Sequence, residues 1–63
     1  MSGFIKVIDK MNRVQYLNVN YIVKITPLGE ERIAKAIIFT TSETIEVLHT
    51  VEEILDIINL SKN

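Results

Sequence analysis

Apolar and polar positions alternate along most of the chain, and the period of the pattern changes near residue 50. Short runs rich in isoleucine and valine, separated by asparagine, glycine, proline or serine, are typical of β-strands. In the first run Ile5 and Val7 share one face, and Phe4, Lys6 and Ile8 share the other. The pattern predicts five short strands, at residues 4–9, 14–17, 21–26, 33–40 and 44–48.

The connections between these runs contain residues that favour turns. Asn12 lies between the first two runs, and asparagine tolerates the left-handed backbone conformation that tight turns require. These runs are therefore predicted to form a β-hairpin. Asn18 and Asn20 interrupt the chain before the third run, and Pro27, which has no N–H to donate, is expected to end it.

The run at residues 33–40 has two interpretations. Ala34, Lys35 and Ala36 are good helix formers, so residues 33–38 fit a helix as well as a strand. The following residues, 37–41, are β-branched or aromatic and strongly favour extended structure. The strand is the preferred interpretation.

After residue 50 the apolar positions follow a helical period. Thr50 and Glu53 have the spacing of a capping box, in which each side chain accepts a hydrogen bond from the other residue's backbone N–H. The helix is expected to end near Leu60. Its predicted apolar stripe is Val51, Ile54, Leu55 and Ile58. The chain is therefore predicted to be one α+β domain over residues 1–63, with a small, mostly antiparallel sheet of about five strands and one C-terminal amphipathic helix.

The predicted strands carry more apolar side chains than one short helix can cover. A ten-residue helix is about 15 Å long and covers one face of a small sheet, whereas the first and fourth strands look apolar on both faces. We expect the second face to pack against another copy of the chain, as a homo-oligomer. The expected interface residues are Phe4, Ile8, Ile33, Ile37 and Phe39. Alternatively, Leu28, Tyr16 and the chain termini fold over that face.

Composition limits the remaining possibilities. The chain has 63 residues, no cysteine and one histidine, which excludes disulfides and thiolate zinc sites. Isoleucine, valine and leucine make up 22 residues, far from the composition of disordered chains. No apolar run approaches the roughly 18 residues of a membrane span, and the first residues lack the pattern of a signal peptide. We expect a cytoplasmic protein without membrane insertion.

Catalytic chemistry has little support in the sequence. His49 is the only imidazole, and no serine, threonine or carboxylate lies at a catalytic spacing from it. It is expected to be a neighbour of the helix cap or an exposed turn residue. The pairs Glu30–Glu31 and Glu43–Glu46 are expected to be solvated. We therefore expect a non-catalytic protein without metal or cofactor.

The charges are unevenly distributed. Residues 1–35 contain six Lys or Arg and three acids, whereas residues 36–63 contain one Lys and five acids. Basic residues near two tyrosines suggest a rim that binds an anionic small molecule such as a nucleotide, or less readily a nucleic acid, since the isoelectric point near 5.7 is low. The simpler alternative is solvated lysines that protect a sheet edge. The candidate partner-binding or ligand-binding residues are Lys6, Arg13, Tyr16, Tyr21, Lys24 and Arg32.

The order of residues resembles that of the small FlbD/SwrD-type flagellar proteins, from residue 4 to residue 58. The similar segments are Phe4-Ile5-Lys6-Val7, Tyr16-Leu17-Asn18, Tyr21-Ile22-Val23-Lys24-Ile25, Ile38-Phe39-Thr40-Thr41, Ile45-Glu46-Val47, Thr50-Val51-Glu52-Glu53-Ile54 and Ile57-Ile58. The family's hairpin usually carries Leu-Asn-Gly, where this chain has no glycine. The resemblance implies a motility accessory protein that acts on a flagellar partner. The alternative function is a bacterial or phage protein that holds an anionic small molecule between subunits.

Overall fold

The computed structural model describes residues 3–31 and 33–61, with the side chain of Ser61 left aside. A 3-10 turn, Val19–Tyr21, lies between the second and third strands. The strands and the helix are β1 (Phe4–Ile8), β2 (Val14–Asn18), β3 (Ile22–Pro27), β4 (Lys35–Thr40), β5 (Thr44–Thr50) and α1 (Val51–Ser61).

β1 and β2 form an antiparallel two-stranded ribbon. Its register pairs Ile5 with Leu17 and Lys6 with Tyr16. Because side chains alternate between the faces of a strand, Ile5, Val7 and Leu17 lie together on one face and are buried. The turn between the strands has Asn12 at φ 65°, the left-handed conformation predicted for it. The hairpin prediction is confirmed.

The other three strands form an antiparallel sheet in the order β3-β4-β5. β4 lies in the centre, buries Ala36 and Ile38 on one face, and leaves Ile37 and Phe39 half-buried on the other. The register shifts between Ile22 and Lys24 of β3, and again where β4 meets the end of β5. These irregularities increase the twist of the sheet.

A short seam joins the ribbon to this sheet. Asp9, directly after β1, forms an isolated antiparallel bridge with Val47 of β5, and the Lys10 N–H donates to the Glu46 carbonyl at 2.9 Å. The inner faces of the two sheets and one side of α1 enclose a core of aliphatic residues. Its buried members are Ile5, Val7, Leu17, Ala36, Ile38, Ile45, Val47 and Ile54.

The structure confirms the small α+β fold and corrects several details. The five strands lie in two sheets instead of one. Ile33 precedes β4 and is 78% exposed, so this strand is shorter than predicted. β5 continues to Thr50 because the irregular pairing with β4 accommodates extra residues. Pro27 is the last residue of β3 and pairs with Ala36, which an edge strand permits.

The helix begins as predicted, but its buried stripe is rotated. The Glu53 N–H donates to Thr50 Oγ1 at 3.1 Å, and the Thr50 N–H donates to Glu53 Oε1 at 2.9 Å, which confirms the capping box. Leu55 is 47% exposed, contrary to the prediction. Ile57 packs against the core in its place, because α1 contacts β1, β5 and β3 from one side only.

Candidate binding surfaces

The turn between β1 and β2 is organised by a buried carboxylate that the sequence analysis did not single out. Asp9 is only 4% exposed. Its Oδ1 accepts hydrogen bonds from the backbone N–H groups of Met11 and Arg13, both at 2.9 Å. Its Oδ2 accepts from Gln15 Nε2 at 2.9 Å and from Arg13 Nε at 3.3 Å. The available signal was an aspartate at the first position of a turn, where its side chain can bond to the backbone ahead of it.

These donors favour the ionised form of Asp9. The hydrogen bond from the Gln15 side chain is the largest cause that lowers the pKa of Asp9, followed by the backbone N–H of Arg13. Desolvation opposes the shift but does not reverse it. Asp9 is therefore held as a carboxylate that closes the hairpin.

A polar cleft of about 190 Å³ lies between this turn and the start of β5. Its walls include Asp9 and Arg13 on one side and Glu43 on the other. Lys10 Nζ lies 3.6 Å from Glu46 Oε1 across it. The charged side chains of the cleft thus largely pair with one another, so the cleft offers little unmatched charge to a ligand.

The outer face of the ribbon carries several exposed apolar side chains. We call it the ribbon face and define it by Phe4, Lys6, Ile8, Val14 and Tyr16. Phe4 is 55%, Val14 47% and Tyr16 66% exposed. Lys6 and Tyr16 are directly opposite each other, as are Ile8 and Val14. Three large side chains about half exposed or more, side by side, are typical of an interaction site.

The outer face of the three-stranded sheet is better covered. Lys24 extends over the ring of Phe39, with Nζ 4.6 Å from the ring centre, a cation–π contact. Phe39 and Ile37 are half-buried there. Part of the apolar surface of this face is therefore buried by contacts within the chain.

A second depression, of about 310 Å³, lies beside the start of α1. Pro27, Ala34 and Val51 supply its apolar lining, and three carboxylates surround them. The carboxylates belong to Glu30, Glu31 and Glu52. This is an acidic, open groove, and among residues 3–31 and 33–61 no basic side chain lines its wall.

His49 has a structural role that differs from the one expected. It lies in β5, half-buried, and its Nε2 accepts a hydrogen bond from the Ile8 N–H at 3.1 Å. An acceptor at Nε2 places the proton of the neutral ring on Nδ1. His49 directly precedes the capping residue Thr50, as expected, but it is not an exposed turn residue, because the longer β5 carries it to the edge of β1.

The candidate residues occupy several places. Among the candidates for ligand or partner binding, only Lys6 and Tyr16 form a cross-strand pair. Arg13 is engaged with Asp9 in the turn, Tyr21 ends the 3-10 turn and Lys24 lies on β3. Arg32 lies outside the described residues.

The expected interface residues also lie on different surfaces. Phe4 and Ile8 belong to the ribbon face, whereas Ile37 and Phe39 lie on the outer face of the three-stranded sheet. Ile33 lies in the turn that precedes β4. The apolar surplus is therefore spread over two sheet faces and one loop.

Two further findings concern metals and membranes. Within residues 3–31 and 33–61, no group of three histidine, aspartate or glutamate side chains is placed to hold a metal ion. In the same part of the chain, no helix has the length and apolar character needed to cross a bilayer.

The chain matches no protein-family model, no curated protein and no solved structure.

Proposed function

We propose that the protein is a non-catalytic binding protein that acts as a homo-oligomer through the ribbon face. The observation that carries this proposal is the exposure of Phe4, Val14 and Tyr16 on one face of a two-stranded ribbon. The core covers the inner faces of the strands, and the contact between Lys24 and Phe39 covers part of the outer face of the three-stranded sheet. Val23 of β3, at the irregular point of the ladder, is also exposed, at 68%.

The charge of the ribbon face supports a protein partner. Lys6 is its only charged residue, and the remaining members are aromatic or aliphatic. Interface cores are depleted in charge and enriched in tyrosine and phenylalanine. The candidate residues for an anionic ligand are distributed over the ribbon, its turn, the 3-10 turn and β3, so a protein partner is favoured over a small anion.

The resemblance to the small FlbD/SwrD-type flagellar proteins supports a more specific role. We propose that the oligomer serves as a motility accessory factor that binds a component of the flagellar machinery. The segments that carry the resemblance include those that form the ribbon, Phe4-Ile5-Lys6-Val7 and Tyr16-Leu17-Asn18. The ribbon face, which joins the copies, then lies next to the surface that the flagellar component can bind.

The self-association is tested by light scattering coupled to size exclusion, from micromolar to millimolar concentration. The wild-type chain is expected to have a mass of at least two chains at the upper end of this range. Tyr16→Lys is expected to shift the mass to one chain, because it places a charge on the apolar face. The fold should survive, since Tyr16 is 66% exposed.

The matched control is Tyr21→Lys. Tyr21 is similarly exposed, at 58%, but lies outside the ribbon. Its variant is expected to keep the wild-type mass. A wild-type mass of one chain at all concentrations would refute the proposed function. Equal effects of the two substitutions on the mass would show that the ribbon face is not the interface.

A further inference from the structure

The fold has two free strand edges, which differ in their protection. β2 pairs with β1, and β3 pairs with β4; in the part of the chain that the structure describes, neither has a second strand neighbour. The bridge from Asp9 to Val47 joins the inner strands β1 and β5. β2 and β3 are therefore the two ends of the whole arrangement.

The backbone groups of β2 that face outward follow from the hydrogen bonds at both ends of the ribbon. The Asp9 N–H donates to the Arg13 carbonyl, and the Val19 N–H donates to the Gly3 carbonyl. These pairs fix the alternation of an antiparallel ladder, in which every second residue points its N–H and C=O away from the partner strand. On β2 the outward residues are Val14, Tyr16 and Asn18.

The same alternation is visible on β1. The backbone N–H and C=O groups of its even-numbered residues point away from β2, toward β5. The Ile8 N–H accordingly reaches His49, and the Lys10 N–H reaches Glu46. The outward N–H groups of Ile8 and Lys10 are thus used in the seam, whereas the outward groups of β2 face no other strand among the described residues.

β3 carries three features that discourage pairing with another chain. Its ladder is irregular between Ile22 and Lys24, the strand itself carries the charged residue Lys24, and Pro27 ends the strand. Since the Leu28 N–H donates to the Lys35 carbonyl, Pro27 occupies an outward position and offers no donor there. A bulge, a lysine and a proline are the usual means of blocking an edge.

β2 has none of these features. The strand Val14-Gln15-Tyr16-Leu17-Asn18 contains no charge and no proline, and its register with β1 is regular throughout. Its outward residues include Val14 and Tyr16, whose side chains are exposed. This is the type of edge that accepts another strand.

We propose that β2 pairs in antiparallel orientation with β2 of a second copy, across a two-fold axis at Tyr16. This inference rests on the proposed self-association and specifies its geometry. A register centred on Tyr16 is the one in which all three outward residues find partners. Val14 then faces Asn18 of the partner subunit, and Tyr16 faces Tyr16 of the partner subunit.

A second copy suits this edge better than an unrelated peptide. An antiparallel pair about a two-fold axis requires a strand that is complementary to itself, and β2 meets this condition because it has no charge to repel its own copy. Pairing also places the two ribbon faces side by side in one four-stranded sheet. The Phe4 and Lys6 positions of both copies would remain on its outer surface, available to a further partner.

The proposal is tested by amide hydrogen exchange, followed by NMR on the wild-type chain below and above the concentration at which its mass doubles. Exchange of the Val14, Tyr16 and Asn18 amides is expected to slow by about ten-fold or more on association, because each N–H gains a backbone acceptor. The internal control is the Ile25 amide, which by the same alternation points outward from β3. Its exchange is expected to be independent of concentration.

The outcomes separate the two proposals. A chain that remains monomeric would overturn both. A chain that associates while the three β2 amides keep their monomer rates would overturn the edge pairing and leave the proposed function standing. Slower exchange of the Ile25 amide, without slower exchange of the β2 amides, would assign the interface to the β3 edge and would also overturn the β2 pairing.

Discussion

At the scale of single residues, the carboxylate of Asp9 replaces the glycine that short hairpins commonly use. Asn12 supplies the left-handed backbone position, and Oδ1 of Asp9 holds both the Met11 and the Arg13 amides of the turn in place. Glycine would permit this conformation without fixing it. The turn is therefore held by hydrogen bonds to one buried anion.

Replacement of Asp9 by asparagine is expected to destabilise the fold. The amide group retains one acceptor, but its NH₂ would face the donors of Gln15 and Arg13, which now bond to Oδ2. The midpoint of urea unfolding should fall relative to the wild-type chain at neutral pH. Asp56→Asn, at an exposed helical position, is the control and should leave the midpoint unchanged.

The Asp9 carboxylate also predicts how the stability of the fold changes at low pH. Because the pKa of Asp9 is lower in the folded chain than in the unfolded one, its stabilising contribution is present above the unfolded pKa of about 3.9. It is lost as the pH falls through the folded pKa. Asp9→Asn should therefore lose less stability than the wild-type chain between neutral pH and pH values below 4, measured by urea unfolding. Parallel losses in the two proteins would contradict this assignment.

At the scale of elements, the start of α1 depends on its capping box. Thr50→Ala is expected to lower the free energy of unfolding by about 1 kcal/mol, because the Glu53 N–H loses its acceptor. For a domain of this size, that corresponds to about 4–8 °C in Tm. Thermal unfolding followed by circular dichroism measures the change.

Two further variants make this test specific. Thr50→Ser keeps the hydroxyl acceptor and should retain most of the stability. Thr41→Ala removes a threonine at an exposed bend and should change Tm little. Equal losses for Thr41→Ala and Thr50→Ala would argue against a capping contribution.

The sequence predicts elements whose causes are local. The alternation of Ile5 and Val7, the turn at Asn12 and the cap at Thr50 each depend on residues within a few positions, and the structure contains all three. The helix stripe was partly wrong, since whether Leu55 or Ile57 is buried depends on how α1 is rotated against the strands. No local pattern contains that rotation.

The binding surface was less predictable than the fold. Ile33 was expected in β4, but the strand begins at Lys35, so the apolar face was assigned to residues that do not share one surface. The division of five strands into two sheets decides which apolar side chains are left uncovered. That division depends on irregular pairing between distant segments, which alternation alone does not reveal.

At the scale of the whole molecule, the two sheets are held together by few polar contacts. One of them is the hydrogen bond from the Ile8 N–H to His49 Nε2, between residues 41 positions apart. The helix and the apolar core supply the rest of the attachment. His49 is thus a side-chain substitute for a missing stretch of strand pairing between β1 and β5.

His49→Ala is expected to lower the free energy of unfolding by about 1 kcal/mol, because the Ile8 N–H loses its acceptor. His49→Gln, whose side-chain oxygen can accept the same bond, should restore part of the loss. Urea unfolding measures both variants, and exchange of the Ile8 amide reports the bond directly. Unchanged Ile8 exchange in His49→Ala would show that this bond does not hold the seam.

The Asp9 turn also bears on the order in which the chain can acquire its contacts. Its hydrogen bonds link residues two to six positions apart, so closing this loop costs little chain entropy, and isolated hairpins close in about 1–10 μs. The bond between Ile8 and His49 must instead close a loop of most of the chain. The ribbon can therefore form independently of the seam, and the slow step of folding is expected to be the arrival of β5 and α1 on a hairpin that is already closed.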